Sequence, residues 1–257
     1  MDQPTLTAHQ FGATAASYLT SSVHATGTDL ERLSRLPAQL HAPRVLDLGC
    51  GAGHASFALA RGGAEKVVAY DLSPDMLAVV ATEAAARGHG TIEPVSGPAE
   101  HLPFADASFD LIVTRYSAHH WFDLARALKE AARVLRPGGR LVVVDVVAPE
   151  SPLLDTTLQT LELLRDASHV RNYRLSEWRA LLTTAGFDEP TGDEWKISLE
   201  FQSWVTRIAT PAARVAALQA VFDALPSEPR KYFAVSDDRS FSTDVAWLET
   251  AKSRPIT

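Results

Sequence analysis

The sequence predicts an α/β fold with a doubly wound, mostly parallel sheet. Short apolar strands and helical segments alternate five times between residues 44 and 147, and parallel neighbouring strands need such crossover connections. A glycine-rich turn at residues 49–53 separates the first strand of this series from its first helix. The chain has 257 residues, of which 46% are hydrophobic, enough for one large domain with its own core.

We expect a single domain with three parts. Residues 1–42 form an N-terminal helical lid, residues 43–150 form a cofactor-binding core, and residues 151–257 supply the remaining sheet elements and inserted helices that cap a site. Within the lid, Thr28 and Glu31 fit the capping box of one helix. An earlier amphipathic stripe has helical spacing and consists of Phe11, Ala15, Tyr18 and Leu19.

Five strands are predicted in the core from short apolar runs, at residues 44–48, 66–70, 91–96, 109–114 and 140–147. The helix after the second strand has the clearest start. Ser73 stands at its N-cap, Pro74 at its first position and Asp75 in its first turn. A later helix begins after Asp123 and is interrupted at Pro137-Gly138-Gly139.

The second half has a looser pattern, with no internal repeat and no low-complexity linker. One helix is predicted over residues 153–167, a second has its N-cap at Ser176 and ends at Gly186, and a third runs from Pro211 to Leu225. Residues 187–201 contain extended stretches, and Phe241 to Glu249 is predicted as the last strand. These elements continue the same domain.

Composition excludes several kinds of partner. The net charge is −7 and the basic residues are scattered, which disfavours a nucleic acid. The most apolar run, Leu141 to Ala148, is interrupted by Asp145 and is much shorter than the ~20 residues that span a bilayer. No signal peptide is visible at the N-terminus, and the single cysteine, Cys50, fits a reducing compartment. We therefore expect a cytoplasmic protein with no membrane span.

The glycine turn predicts a site for a nucleotide-like ligand. Glycines at 49, 51 and 53 let the backbone turn sharply and approach a ligand, beside the amide groups of a helix N-terminus. Asp71 ends the second strand 20 residues after Gly51, where a carboxylate can accept hydrogen bonds from a ribose diol. Ser56 occupies the place of a third glycine, which disfavours NAD. A turn without any ligand is the alternative.

Four segments in the same order resemble the motifs of class I S-adenosylmethionine-dependent methyltransferases. The first is Val45-Leu46-Asp47-Leu48-Gly49-Cys50-Gly51-Ala52-Gly53, and the second is Asp71-Leu72-Ser73-Pro74-Asp75-Met76. The others are residues 97–110 and residues 135–141. The resemblance covers about residues 40–150 and is greatest to the small-molecule enzymes of ubiquinone and menaquinone biosynthesis. It implies a Rossmann-like sheet whose last strand is antiparallel.

The resemblance also implies which residues bind S-adenosylmethionine. The loop at Gly49, Gly51 and Gly53 would hold the methionine portion, with Asp47 near its ammonium group. Arg115 would face the same end. Asp71 would bind the ribose hydroxyls. The remaining expected contacts are Leu72 and Met76 along the adenine, Ala99 and Glu100 at the adenine edge, and Tyr18 over the carboxylate.

His119 and His120 are the candidate catalytic residues, because they follow the fourth strand and imidazole titrates near working pH. A base is needed only if the acceptor must lose a proton. A loop-capping role is the alternative for either residue. We expect no metal site, because adjacent side chains of an extended segment point to opposite faces. Asp145 is a further residue expected to face the site.

The sequence therefore predicts an enzyme that transfers a methyl group from S-adenosylmethionine to a small organic molecule by direct displacement, releasing S-adenosylhomocysteine. Whether carbon, nitrogen or oxygen is methylated stays open, as does the choice between monomer and homodimer. One alternative is a non-catalytic S-adenosylmethionine-binding regulatory protein. A less favoured alternative is a nicotinamide-dependent oxidoreductase, which Ser56 and the downstream motifs disfavour.

Overall fold

The computed structural model describes residues 2–12 and 27–254. Its sheet has seven strands in the order β3-β2-β1-β4-β5-β7-β6. Strands β1 to β5 are parallel to one another, whereas β7 is antiparallel to both β5 and β6. The predicted α/β fold, doubly wound sheet and antiparallel last strand are therefore confirmed.

The strands have the following bounds: β1 Arg44–Leu48, β2 Lys66–Asp71, β3 Ile92–Ser96, β4 Phe109–Arg115, β5 Leu135–Val147, β6 Thr191–Leu199 and β7 Phe241–Ala251. The α-helices are α1 Gln3–Gly12, α2 Thr28–Ser34, α3 His54–Arg61, α4 Pro74–Ala86, α5 Leu124–Val134, α6 Pro152–Arg165, α7 Leu175–Ala185, α8 Phe201–Thr206, α9 Ala212–Ala224 and α10 Ser227–Tyr232. Short 3-10 turns lie at Pro37–Gln39 and Ala118–His120.

The central strands are buried on both faces, as parallel strands covered by helices must be. Val45 and Leu46 are neighbours in β1, both with 0% exposure, and they belong to the cores on opposite faces of the sheet. Strand β1 therefore carries no solvent-facing row, which explains why apolar side chains occupy both of its faces. No helix of the described residues is long and apolar enough to cross a membrane.

Most predicted helices and strands are confirmed with shifted ends, but two predicted helix starts are wrong. Gly27 is the N-cap of α2, and the side chain of Thr28 makes no capping bond. Helix α7 begins one residue before Ser176, and its first turn is closed by Glu177, whose carboxylate accepts from the Arg174 backbone N–H at 2.9 Å. Ser176 instead bonds to Glu150.

The turn between α5 and β5 also differs from the prediction. Strand β5 begins at Leu135, directly after the helix, so Pro137-Gly138-Gly139 lies inside the strand bounds rather than before them. The pairing register of β4 with β5 shifts between Phe109 and Leu111, which accommodates this irregular start. The division into lid, core and cap stays a prediction. Ala15, Tyr18 and Leu19 lie outside the described residues.

The C-terminal part has a third core of its own. Leu158 and Leu161 of α6 pack there with aromatic side chains from helices α8 and α9 and from β7. These are Phe201, Trp204, Phe222 and Phe241. Their rings meet edge-on or tilted at centroid distances between 4.9 and 6.5 Å. This packing fixes α6 and α8 against the end of the sheet, where their side chains line part of the site described next.

Candidate active site

A cleft of about 1040 Å³ opens at the carboxyl ends of β1, β2 and β4. Strand order changes direction between β1 and β4, and such a switch point is where open α/β sheets bind ligands. The cleft is lined by the glycine turn, by residues 70–72 and 97–100, and by residues 115–117. Four residues of α1, including Phe11 near its end, also line the cleft.

The glycine turn is shaped by two different constraints. Gly49 has φ +74°, and a Cβ there would lie 1.8 Å from the Ser117 hydroxyl, so the backbone passes too close for a side chain. Gly51 has φ +51° and lines the cleft, but nothing lies within 4 Å of the position of its Cβ. A side chain at Gly51 would therefore project into open space that a ligand can use.

Asp47 is a buried carboxylate at the floor of this cleft. Its Oδ2 accepts a hydrogen bond of 2.6 Å from the Ser56 hydroxyl, whereas its buried Oδ1 has no partner among the described residues. Burial raises the pKa of Asp47 to about 6. An unpaired buried acceptor is costly, and a ligand ammonium group would satisfy it. The Ser56 contact also explains why this position is not the third glycine of a dinucleotide motif.

Asp71 closes the turn and remains able to bind a ligand. Its Oδ2 accepts from the Gly51 N–H at 2.8 Å, and its Oδ1 accepts from the Ser73 N–H at 2.9 Å. Each carboxylate oxygen has a second lone pair, and Asp71 lines the cleft. Burial raises its pKa. The two backbone bonds hold the carboxylate in one orientation, which suits a pair of adjacent hydroxyls.

The expected adenine contacts all line the cleft. They are Leu72, Met76, Ala99 and Glu100. Glu100 is held in place, since its Oε1 accepts from the Asp123 N–H at 3.2 Å and its carbonyl accepts from Arg126 Nε at 3.0 Å. Met76 is fully buried and supplies a flexible apolar surface. The structure thus brings these four residues to the same cleft, and their contacts with a cofactor stay a prediction.

Arg115 lines the same cleft, and its partner was missed by sequence reasoning. Arg115 Nε donates to Asp29 Oδ2 at 2.6 Å, and both side chains are buried. Asp29 belongs to α2, so this ion pair ties the N-terminal part of the chain to the end of β4. The two residues are 86 positions apart, and no local pattern relates them.

A second cavity of about 600 Å³ adjoins the first cleft. Phe11, Tyr116 and His120 line both of them. The other residues that line the second cavity come from the end of the core and from the part of the chain after residue 150. They are His119, Val146, Glu162, Arg165, Asn172, Ile197, Leu199, Trp204 and Arg207. The sequence predicts His119 and His120 as site residues but does not indicate the polar residues from α6 and the following segment. They follow no motif, so sequence spacing held no signal for them.

The expectation that His119 and His120 point apart is wrong. They lie in a 3-10 turn rather than an extended segment, and their ring centroids are 4.2 Å apart. His169 joins them, 5.9 Å from the ring of His119 and 6.4 Å from that of His120. In residues 2–12 and 27–254, no three His, Cys, Asp or Glu side chains have an arrangement that could hold a metal ion.

The three imidazoles have different environments. His119 Nδ1 faces Asp145 Oδ1 at 2.6 Å. Burial acts to lower the pKa of His119, but the charge and hydrogen bond of Asp145 outweigh it and the pKa is raised. For His120, burial and the neighbouring His119 lower the pKa to about 4. Burial lowers the pKa of His169 to about 2. His119 is thus the strongest base of the three.

A mostly parallel sheet with a glycine turn, a carboxylate fixed at the end of β2 and a cleft at the switch point is typical of α/β folds that bind nucleotides. Residues 46–143 match a family model described as a methyltransferase domain. YcgJ of Bacillus subtilis, named as a methyltransferase, is 35% identical over 226 residues, which are 88% of this chain and 89% of the relative. The chain belongs to the class I S-adenosylmethionine-dependent methyltransferases.

Other similarities agree with this assignment. The crystal structure of YcgJ superposes with a TM-score of 0.84 at 33% identity, covering 89% of this chain and all of that chain. YafE of Escherichia coli is 48% identical over 187 residues, 73% of this chain and 90% of the relative. A demethylmenaquinone methyltransferase of Chlorobaculum parvum is 37% identical over 112 residues, 44% of each chain.

Proposed function

We propose that the first cleft binds S-adenosylmethionine and that the enzyme transfers its methyl group to a small organic acceptor held in the second cavity. The observation that carries this proposal is the shared wall of Phe11, Tyr116 and His120, where the two cavities meet. A methyl group presented there could be attacked in line from the second cavity. The product would be S-adenosylhomocysteine.

The residues of the first cleft fit this cofactor. The unpartnered oxygen of Asp47 suits the ammonium group, the open space at Gly51 suits the methionine chain, and the fixed carboxylate of Asp71 suits the ribose diol. The cofactor supplies a methyl group already activated by a positive sulfur. The protein's contribution is therefore to position the acceptor and exclude water.

Three observations support a small-molecule acceptor. The second cavity combines aromatic and aliphatic side chains with polar groups, as small-ligand sites do. One relative is a demethylmenaquinone methyltransferase. The acidic net charge disfavours nucleic acid as the acceptor.

The cytoplasmic location of the protein stays a prediction.

Calorimetric titration with S-adenosylmethionine, S-adenosylhomocysteine and NAD tests the first step. We expect micromolar binding of the first two, no binding of NAD, and a loss of well over tenfold in Asp71→Ala, as removal of a charged hydrogen-bonding group predicts. Asp75→Ala, on the exposed start of α4, is the matched control. Binding of NAD without S-adenosylmethionine would instead support the oxidoreductase alternative.

A further inference from the structure

The second cavity contains a pair of residues whose arrangement is more specific than a methyltransferase fold requires. His119 Nδ1 is bonded to Asp145 Oδ1, while His119 lines the second cavity. Its Nε2 makes no hydrogen bond within residues 2–12 and 27–254. Because the carboxylate fixes the proton of the neutral ring on Nδ1, the lone pair of Nε2 is left available to accept a proton.

We propose that His119 is the catalytic base of the methyl transfer, that Asp145 is the residue that positions it, and that the acceptor is therefore a hydroxyl compound of phenol or enol acidity. This inference rests on the proposed function. The inference adds to the proposed function the choice of one of the two histidines and the chemical class of the acceptor.

Asp145 is built to stabilise a cation on His119. Its carboxylate is 2% exposed, and its Oδ1 also accepts from the Val146 N–H at 2.8 Å. Its Oδ2 is buried with no hydrogen-bond partner among the described residues. A buried carboxylate with so few donors has a poorly compensated charge, and a protonated imidazole at 2.6 Å would compensate it. Proton transfer to His119 is thereby favoured.

His120 is a poor candidate for the same role. Its Nδ1 donates to the Ser168 carbonyl at 3.2 Å, which is a neutral acceptor. It packs edge-on against Phe11 at 4.7 Å and borders both cavities. Its pKa of about 4 makes it a weak proton acceptor at neutral pH. We assign His120 to the wall between the cavities.

Charged and titratable groups from several elements face His119, and the three carboxylates among them favour its cationic form. The facing groups are Asp145 of β5, Glu162 and Arg165 of α6, Asp166 and His169 of the following segment, and His120 of the same turn. The three carboxylates raise the pKa of His119 against the effect of burial. His119 therefore loses its proton, and becomes active as a base, at a pH above the ordinary pKa of histidine.

The strength of this base limits the acceptor. A phenol has a pKa of about 10, close enough to imidazole for general-base catalysis, whereas a hydroxyl like that of water has a pKa of about 15.7. The cavity walls also suit a flat ring, since Phe11, Tyr116 and Trp204 line them beside aliphatic side chains.

The step balances without another reactant. The acceptor hydroxyl gives its proton to His119 Nε2, and the resulting electron pair on oxygen, or on the conjugated carbon, forms the new bond to the methyl carbon. The carbon–sulfur bond breaks and its electron pair stays on sulfur, which becomes neutral. Asp145 holds the imidazolium until His119 returns the proton to water.

The first test needs no acceptor. The full chain, labelled with ¹⁵N-histidine and bound to S-adenosylhomocysteine, is titrated by NMR. We expect neutral His119 to carry its proton on Nδ1 and to titrate above the ordinary histidine value, and Asp145→Asn to lower its midpoint by at least about one pH unit. An unchanged midpoint in Asp145→Asn, or a proton on Nε2, would overturn the assignment of the pair.

The second test measures methyl transfer to ring-substituted phenols with pKa values from about 7 to about 10, beside a matched set of aryl amines. At about pH 8, His119→Gln is expected to lower kcat/KM about a hundredfold for the least acidic phenols and less than about tenfold for those already ionised. Asp145→Asn should move the acidic limb of the pH profile to lower pH. His120→Gln should leave the midpoint of that limb in place.

The outcomes separate the inference from the proposed function. If His119→Gln lowers kcat/KM equally for all the phenols, His119 and Asp145 have only a structural role. The same conclusion follows if Asp145→Asn leaves the acidic limb of the pH profile in place. Turnover of amines but of no phenol would overturn the inference and leave methyl transfer intact. Binding of S-adenosylmethionine without turnover of either set would overturn both the inference and the proposed transfer, in favour of a regulatory protein. Absence of S-adenosylmethionine binding would overturn the proposed function at its first step.

Discussion

The two cavities of this enzyme are built in different ways. The first cleft is formed mainly by short segments at the ends of neighbouring parallel strands, and its shape comes from backbone geometry at Gly49 and Gly51. The second cavity is formed by side chains drawn from residues 116 to 207 and from α1, and its character comes from imidazole, guanidinium and aromatic groups. A backbone site can be inherited with the fold, whereas a side-chain site can change with each acceptor.

The largest effect that we predict concerns the backbone of the first cleft. Gly49→Ala should lower the free energy of unfolding by about 3 kcal/mol or more, because it combines a positive φ with a clash against Ser117. Gly51→Ala is the matched control, with a similar φ and no clash, and should cost about 1 kcal/mol. Denaturant unfolding measures both.

A double variant isolates the clash. Gly49→Ala with Ser117→Gly removes the hydroxyl and Cβ that a side chain at 49 would meet, and should recover the steric part of the loss. If Gly49→Ala and Gly51→Ala cost the same, close approach of the backbone is not what this glycine provides. The turn would then be shaped by φ alone.

This difference explains what the sequence could reveal. Positive φ and close approach each require a particular residue at a particular spacing, so Gly49, Gly51 and Asp71 stand out in a single sequence. The Arg115–Asp29 ion pair and the approach of His169 to His119 depend on how distant elements pack, and nothing local encodes them. The fold and the first cleft were therefore predictable, and most of the second cavity was not.

The next largest effect concerns Asp47. Its folded-state pKa of about 6 lies above its ordinary value of 3.8, because burial disfavours the charge. The folded protein thus binds this proton more tightly than the unfolded chain does, so stability falls as pH rises between about 4 and about 6, by about 3 kcal/mol in total. Asp47→Asn keeps an acceptor for Ser56 and should raise the free energy of unfolding by about 2–3 kcal/mol at about pH 8.

The same variant separates stability from binding. Asp47→Asn should weaken S-adenosylmethionine binding by more than about tenfold, because the ammonium group loses its charged partner. In the unaltered protein, calorimetry should show weaker binding as pH falls through about 6, where the carboxylate becomes protonated. Asp75→Asn, an exposed control, should change neither quantity. A destabilised Asp47→Asn would mean that the buried charge is compensated in the absence of ligand.

A smaller effect distinguishes the cavities directly. Ile197 lines the second cavity from β6 and is absent from the first. Ile197→Trp should lower kcat/KM for the phenol probes by about tenfold while the Kd of S-adenosylmethionine changes less than about twofold. Ser198→Trp, its exposed neighbour on the opposite face of the strand, is the control. Equal loss of cofactor binding would show that the two cavities form one continuous site.

The smallest predicted effect compares two serines that the sequence presented as equivalent helix caps. The Ser73 hydroxyl accepts from the Met76 N–H at 3.3 Å and is buried, so Ser73→Ala should cost about 1 kcal/mol of stability. Ser176 lies inside the first turn of α7 and bonds to Glu150 at the surface, so Ser176→Ala should cost at most a few tenths of a kcal/mol. Thermal unfolding of both variants resolves the difference, and Glu177→Ala should exceed Ser176→Ala because Glu177 caps that helix. Equal costs for the two serines would mean that Ser176 caps α7 in solution, and that local signals in the second half are as informative as those beside the first cleft.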